Sequence, residues 1–138
     1  MAQVHHVLSI KSTARRQFID VTPQVVEAVR QSGVDEGICV VSVPHATAAI
    51  LVNENEHGLI EDMLAKIEAL FPESAQSLHN AIDDNSDAHL AAVFIGHSKT
   101  FSVSKNALVR GTWQNIFLVE LDGPRQRREV HIQILGES

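Results

Sequence analysis

A chain of 138 residues is the size of one ordinary domain and can bury a sizeable core without covalent staples. Its 44% hydrophobic content argues against wholesale disorder, and its formal charge of −6 argues against nonspecific nucleic-acid binding, which needs a basic face. Five Phe, one Trp and no Tyr are too few rings for a base-stacking platform, so Val, Ile, Leu and Ala must fill the core.

In chain order, Val4 to Lys11 reads as a strand, with Leu8 and Ile10 in alternation, and Gln17 to Val21 as a second. Thr22-Pro23 predicts a helix start, a hydroxyl cap followed by proline at the first helical position. Val25, Val26 and Val29 line one face of that helix and Gly33 stops it. Gly37–Val43 and Ala48–Val52 are β-branched runs that suit buried strands. Asn55 can cap the next helix, whose Ile60, Met63, Leu64, Ile67 and Leu70 recur at helical spacing until Pro72.

A polar stretch from Glu73 to Asp87 follows, and Ser86 can cap a short helix through Phe94 that Gly96 closes. Strands are expected over Lys99–Ser104, Trp113–Leu121 and Arg128–Leu135. The order β-β-α-β-β-α-(short α)-β-β-β clusters strands with few crossovers. It predicts a single α+β domain over 1–138: a mostly antiparallel sheet with two main helices and one short helix.

Cys39 is the only cysteine, so no intrachain disulfide or thiolate cluster can form, and its apolar run Ile38–Val41 suits a buried, inert thiol. Met1–Ile10 lacks a charged n-region and a long apolar stretch, and no run of about 18 apolar residues offers a membrane span. The expectation is a cytoplasmic protein that binds no membrane.

Reactive chemistry concentrates in the eight histidines. His5, His6, His57, His97 and His131 suit surface or packing positions. His45, His79 and His89 instead fall where regular structure breaks, and imidazoles converging from separate segments make a borderline-metal site with open positions. Spacing alone shows no convergence. Glu54 either orients such a histidine, acts as a general base, or favours a helix N-terminus. Trp113, a lone tryptophan, suits the core. Thr112 and Gln114 beside it share one face of an extended chain and are harder to explain that way. Arg125, ending the turn Asp122-Gly123-Pro124, has a planar fork that can clamp a phosphate or carboxylate.

Taken together, His45-Ala46-Thr47-Ala48-Ala49 with Asn53-Glu54, His79-Asn80 with Asp83-Asp84-Asn85 and Ala88-His89, Gly111-Thr112-Trp113-Gln114, and Asp122-Gly123-Pro124-Arg125-Gln126-Arg127 resemble the YjbQ-like family. Its members are also described as secondary thiamine-phosphate synthases. The resemblance covers essentially the whole chain. It implies an α+β fold assembled as a homotrimer, with pockets near subunit boundaries. It also implies a divalent metal ion (zinc, manganese or magnesium) on His45, His79 and His89. The implied activity joins a pyrimidine diphosphate to a thiazole phosphate with loss of pyrophosphate. The function expected from both lines is a metal-dependent enzyme acting on a small phosphorylated substrate. Glu54 and His89 would be catalytic, and Thr47, Asn53, Thr112, Gln114 and Arg125 would bind substrate; the alternative is a non-catalytic trimer that binds a metal or metabolite. Ala46, Ser77, Asn106 and Arg110 depart from the family pattern, which leaves substrate identity more open than metal binding.

Overall fold

The computed structural model describes residues 1–73 and 84–138. His79, Ser77 and Asp83 lie outside these residues. In chain order the elements are β1 (Ala2–Ile10), β2 (Gln17–Asp20), α1 (Thr22–Gln31), β3 (Glu36–Ser42), β4 (Ala48–Asn53), α2 (His57–Leu70), α3 (Ser86–Ile95), β5 (Ser98–Ser104), β6 (Ala107–Leu108), β7 (Asn115–Glu120) and β8 (Arg128–Glu137). The α+β architecture and the predicted order are those expected, with β6 added.

Two antiparallel sheets organise the molecule: a five-stranded sheet in the order β1-β8-β3-β5-β6 and a three-stranded sheet in the order β2-β7-β4. The smaller sheet lies in the middle. Ala48 and Ile50 of β4 and Ile116 and Leu118 of β7 pack with α1 against the inner face of the larger sheet, at Cys39, Val41, Val130, Ile132 and Ile134. Its other face, at Ala49, Phe117, Val119 and Leu121, takes Ile67 of α2 and Ala88 and Ala91 of α3. Burial on both faces explains why β7 reads as a continuous apolar run rather than an alternating one. The β8 strand has one face against this core, so its Val130, Ile132 and Ile134 alternate with polar residues.

The helix caps differ from expectation. Val21, not Thr22, holds the cap position of α1; the Thr22 hydroxyl instead accepts the Ile116 amide at 2.8 Å and is drawn into the core. Glu56, not Asn55, caps α2 by accepting the amides of Gly58 and Leu59, while Asn55 donates to Asp20 at 2.8 Å. Asn85 precedes α3 and Ser86 is already helical. For Thr22 and Asn55 a tertiary partner claims the side chain that local rules assign to a cap.

Trp113 is 70% exposed and lies outside β7, a correction to its expected place in the core. The cause is local. The Gln114 side chain accepts the Gly111 amide at 2.7 Å and Arg110 donates to the Gln114 carbonyl at 2.7 Å, closing a turn that turns the ring outward. Arg110 thus stabilises this turn.

The β5–β6 hairpin turns on Lys105 and Asn106, at φ 53° and 58°, the paired positive angles that match the twist of antiparallel strands. The Asn106 amide donates to the carbonyls of Val29 (3.1 Å) and Val34 (2.7 Å), tying the hairpin to the end of α1. Asn106→Ala loses both bonds and leaves a Cβ-bearing residue without Asn's tolerance of that conformation, so it should cost roughly 1–3 kcal/mol. Urea denaturation measures this, and a loss below about half a kcal/mol contradicts the assignment.

Candidate functional site

His45, Pro44 and Ala46 connect β3 to β4 and form one wall of a cleft of about 540 Å³. The opposite wall is α3, which contributes His89, Ala92 and Val93, then His97 just beyond the helix. Gly96 closes α3 at φ 97°, a left-handed conformation that favours glycine, and the chain then returns toward the cleft. Backbone bonds hold this return: Val43 N–H donates to the His97 carbonyl at 2.9 Å and Ile50 N–H to the Gly96 carbonyl at 3.0 Å. His45 and His89, distant in sequence, therefore share one cavity. His97 joins them, although it suited a surface role by sequence. Its signal was there: seven residues span about two helical turns, so the exit at Gly96 lies on the side that carries His89.

His45 Nε2 accepts the Glu129 amide at 2.9 Å. That nitrogen offers its lone pair, so the neutral ring carries its proton on Nδ1. Burial, reinforced by the Arg128 charge, lowers the His45 pKa below the ordinary imidazole value; Glu129 and Glu120 oppose this in part. His45 is accordingly a neutral donor–acceptor at pH 7.

Beneath His45 lies a buried ion pair. Arg128, at the start of β8, meets Glu120, at the end of β7, through Nε–Oε1 at 2.9 Å and Nη2–Oε2 at 2.5 Å. The Ser12 hydroxyl donates to Glu120 Oε1 at 2.7 Å and the Asp122 amide to Oε2 at 3.0 Å. Arg128 also donates to the carbonyl and hydroxyl of Thr47 at 3.1 and 3.0 Å. Thr47 is thus buried with its hydroxyl engaged by Arg128. A Cβ on Gly123 would lie 2.3 Å from the Ala14 carbonyl, so this turn closes only around glycine.

Arg125 donates to the Asp122 carbonyl (2.9 Å) and carboxylate (3.0 Å), and Asn85, at the head of α3, donates to the same carboxylate at 2.8 Å. Arg125 stays half exposed and near enough to lower the His45 pKa by its charge. Asp87, buried on α3, receives Arg15 at 3.0 Å and Arg16 at 2.6 Å, which fixes the helix that presents His89.

The remaining candidates lie elsewhere. Asn53 ends β4 opposite Asn115, and a rise of about 3.3 Å per residue puts it roughly 17 Å from Ala48 at the cleft. Asn53 accepts the Glu54 amide at 2.8 Å. Thr112 lines a second cleft with Arg30, Lys105 and Arg110, and Gln114 lines a third with Lys99 and Val52. One chain thus brings together His45 and His89, with Arg125 in electrostatic reach of His45, and separates from them Asn53, Glu54, Thr112 and Gln114.

Imidazoles suit a divalent ion, and two of the three expected donors share the cleft, while His79 lies outside the described residues. Among the described residues no group of three or more His, Cys, Asp or Glu side chains is arranged to hold an ion. An ion on His45 would have to displace the Glu129 amide from Nε2 or take Nδ1 after loss of its proton. The described residues therefore fit part of a metal site.

Burial alone would raise the Glu120 pKa. Hydrogen bonds from Arg128, Ser12 and the Asp122 amide, with the Arg128 charge, outweigh it and hold the pKa below the ordinary value. A depressed folded-state pKa means that this stabilisation is complete above the unfolded value of about 4.3 and is lost as pH falls through the folded value. Glu120→Gln leaves the Arg128 charge buried without its counter-ion and should cost about 3–5 kcal/mol at pH 7, with a shallower acid limb. Thermal unfolding followed from pH 7 to pH 3 checks both; a variant as stable as the parent throughout contradicts the role given to the pair.

A family described as "UPF0047 protein YjbQ-like" matches residues 6–137. A UPF0047 protein of Methanothermobacter thermautotrophicus is 42% identical over 130 residues, covering 94% of this chain and 90% of that protein. UPF0047 protein YugU of Bacillus subtilis is 34% identical, covering 94% and 97%. Among solved structures, a YbjQ-like protein of unknown function from Sulfolobus solfataricus superposes with a TM-score of 0.97 at 47% identity, covering 98% of each chain. A hypothetical protein from Aeropyrum pernix gives 0.93 at 41% identity, covering 97% of this chain and 99% of that one. The chain belongs to the UPF0047, YjbQ-like, protein family.

Proposed function

We propose that the cleft between the β3–β4 connection and α3 binds a small phosphorylated molecule and that the protein is a metal-dependent enzyme acting on it. The observation that carries this reading is the meeting of His45 and His89 in one cleft, with the Arg125 guanidinium close enough to act on His45. A divalent ion held by His45, His79 and His89 would supply positive charge to a phosphate oxygen or to bound water. The chain's own groups act around it. Neutral His45 donates from Nδ1 with Nε2 turned to the ion, Arg125 offers its remaining guanidinium N–H groups to anionic oxygens, and His89 donates its other ring N–H toward the substrate. Ala46 lines the cleft with a methyl where the family usually has threonine, which trims the polar contacts open to a ligand.

Asn53, Glu54, Thr112 and Gln114 lie too far along the central sheet to serve that cleft within one chain. A homotrimer would bring such residues of an adjoining copy to it. The exposed apolar side of α3 beside the cleft, Leu90, Val93 and Phe94, supports a subunit boundary there. Within this proposal the finer reading is thiamine-phosphate synthase activity, a pyrimidine diphosphate joined to a thiazole phosphate with loss of pyrophosphate. The cytoplasm is its proposed setting. Among the described residues no helix is long and apolar enough to cross a membrane. A second reading is a trimer that only holds a metal or metabolite; within it the engaged Nε2 of His45 favours a metabolite, because an ion would have to displace the Glu129 amide.

Elemental analysis of untagged protein tests the metal, against a His45→Ala, His79→Ala, His89→Ala variant. About one transition ion per chain, lost in the variant, supports the site; no ion after incubation with candidate metals overturns it. His89→Ala should lower turnover on the phosphorylated substrates about 10²–10⁴-fold with the trimer intact. Loss of ligand retention in His89→Ala, against a parent that retains ligand but shows no turnover, would establish the second reading instead.

A further inference from the structure

On the outward face of the large sheet His5 and His131 touch. The β1–β8 register pairs Val7 with His131 and His5 with Gln133, which makes the two histidines diagonal neighbours on one face. The opposite face of the same strands carries Val130 and Ile132 into the core. His5 Nε2 lies 2.9 Å from His131 Nδ1, with ring centroids 5.0 Å apart and planes inclined by 38°. His131 Nε2 lies 2.9 Å from Glu129 Oε1, and Arg127 approaches the other carboxylate oxygen at 3.6 Å.

These contacts assign the protons. A carboxylate only accepts, so His131 holds its proton on Nε2 toward Glu129 and leaves the Nδ1 lone pair toward His5. This is the arrangement by which a metal-ligating histidine is oriented: one nitrogen donates to a carboxylate and the other faces the ion. The spacing suits it as well. With metal–nitrogen bonds of about 2.05 Å, two nitrogens on one ion sit roughly 2.9 Å apart at a right angle and about 3.4 Å apart at a tetrahedral angle. The observed 2.9 Å meets the first and is within a small side-chain movement of the second.

We propose that His5 and His131, with Glu129 orienting His131, form a surface site for a borderline transition ion such as Zn(II), Ni(II) or Cu(II). Water completes the coordination. Binding requires the exposed His5 ring to turn its lone pair onto the ion and to exchange its Nε2 proton for one on Nδ1. The strands that hold the pair keep their register. Imidazole pairs select these ions over Ca(II) and Mg(II), which take oxygen ligands. The net charge of −6 favours cation approach, and Arg127 opposes it locally. The site does not rest on the function proposed for the cleft: neither His5 nor His131 lines it, although the Glu129 amide donates to His45.

The test is calorimetric titration of untagged full-length protein with Ni(II), and with Zn(II) in parallel, for the parent and for His5→Ala, His131→Ala and Glu129→Gln. The parent should bind one more ion per chain than His5→Ala or His131→Ala, or bind it at least tenfold more tightly. Glu129→Gln, which keeps both imidazoles, should weaken it about 10–100-fold. Electron paramagnetic resonance of the Cu(II) form should show two coordinated imidazoles in a His45→Ala, His89→Ala background and fewer in the His5→Ala variant. Identical stoichiometry and affinity in parent, His5→Ala and His131→Ala overturns the site. So does Ni(II)-driven association of chains that these variants abolish, because the ion would then bridge copies rather than one β1–β8 pair.

Discussion

The buried pair of Glu120 and Arg128 is the constraint on which the arrangement of the cleft depends. It stands where β7 of the central sheet and β8 of the large sheet separate, between two layers that otherwise touch through apolar side chains. Withdrawing both charges from water costs several kcal/mol per ion, and their attraction offsets this only with good geometry and satisfied lone pairs. Both conditions hold. The carboxylate takes two contacts from Arg128, one from Ser12 and one from the Asp122 amide; the guanidinium also reaches Thr47. Three chain segments therefore meet at one point: the β1–β2 connection, the start of β4 and the turn that carries Arg125. An apolar substitute would pack the layers together but would leave the His45 loop and the Arg125 turn without a common anchor.

From that anchor the chemistry follows by short steps. Glu129, the next residue in β8, donates its amide to His45, so the ring's tautomer is set by the same strand that holds the ion pair. The Ser12 hydroxyl accepts the Arg125 amide at 2.8 Å while donating to Glu120, which ties the Arg125 turn to the buried pair through two hydrogen bonds. Asp122 and Asp87 tie the start of α3, and with it His89, into the same frame. Motif residues at the far end of the central sheet belong to a different neighbourhood, organised by Gln114, Arg110 and Asn53. The described blocks of the family resemblance thus map to two separate places on one chain.

Local physics made much of the fold legible. Alternation in β8, the helical spacing of Ile60 to Leu70, and glycine stops at Gly33 and Gly96 depend only on near neighbours, and the elements appear where those signals place them. Caps failed for the opposite reason. Thr22, Asn55 and Ser86 are good capping residues by composition, yet Ile116 and Asp20 claim the first two and Asn85 takes the place of the third. The exposure of Trp113 follows from hydrogen bonds by Arg110 and Gln114 that composition does not announce. At the cleft, His45 and His89 were readable as residue types at breaks in structure, but their meeting is long-range. A signal for the buried pair was present, since Glu120 interrupts the apolar run from Ile116 to Leu121. Its partner could not be told from Arg125 or Arg127 by sequence.

Nitrogen-15 NMR of the imidazole rings during titration with inorganic phosphate at pH 7 tests the cleft most directly. His45 should be the neutral Nδ1–H tautomer before addition, and His45, His89 and His97 should show saturable, concerted shifts with His5 and His131 unmoved. A protonated or Nε2–H His45, or phosphate saturation that perturbs other histidines and leaves the cleft rings unchanged, would contradict this.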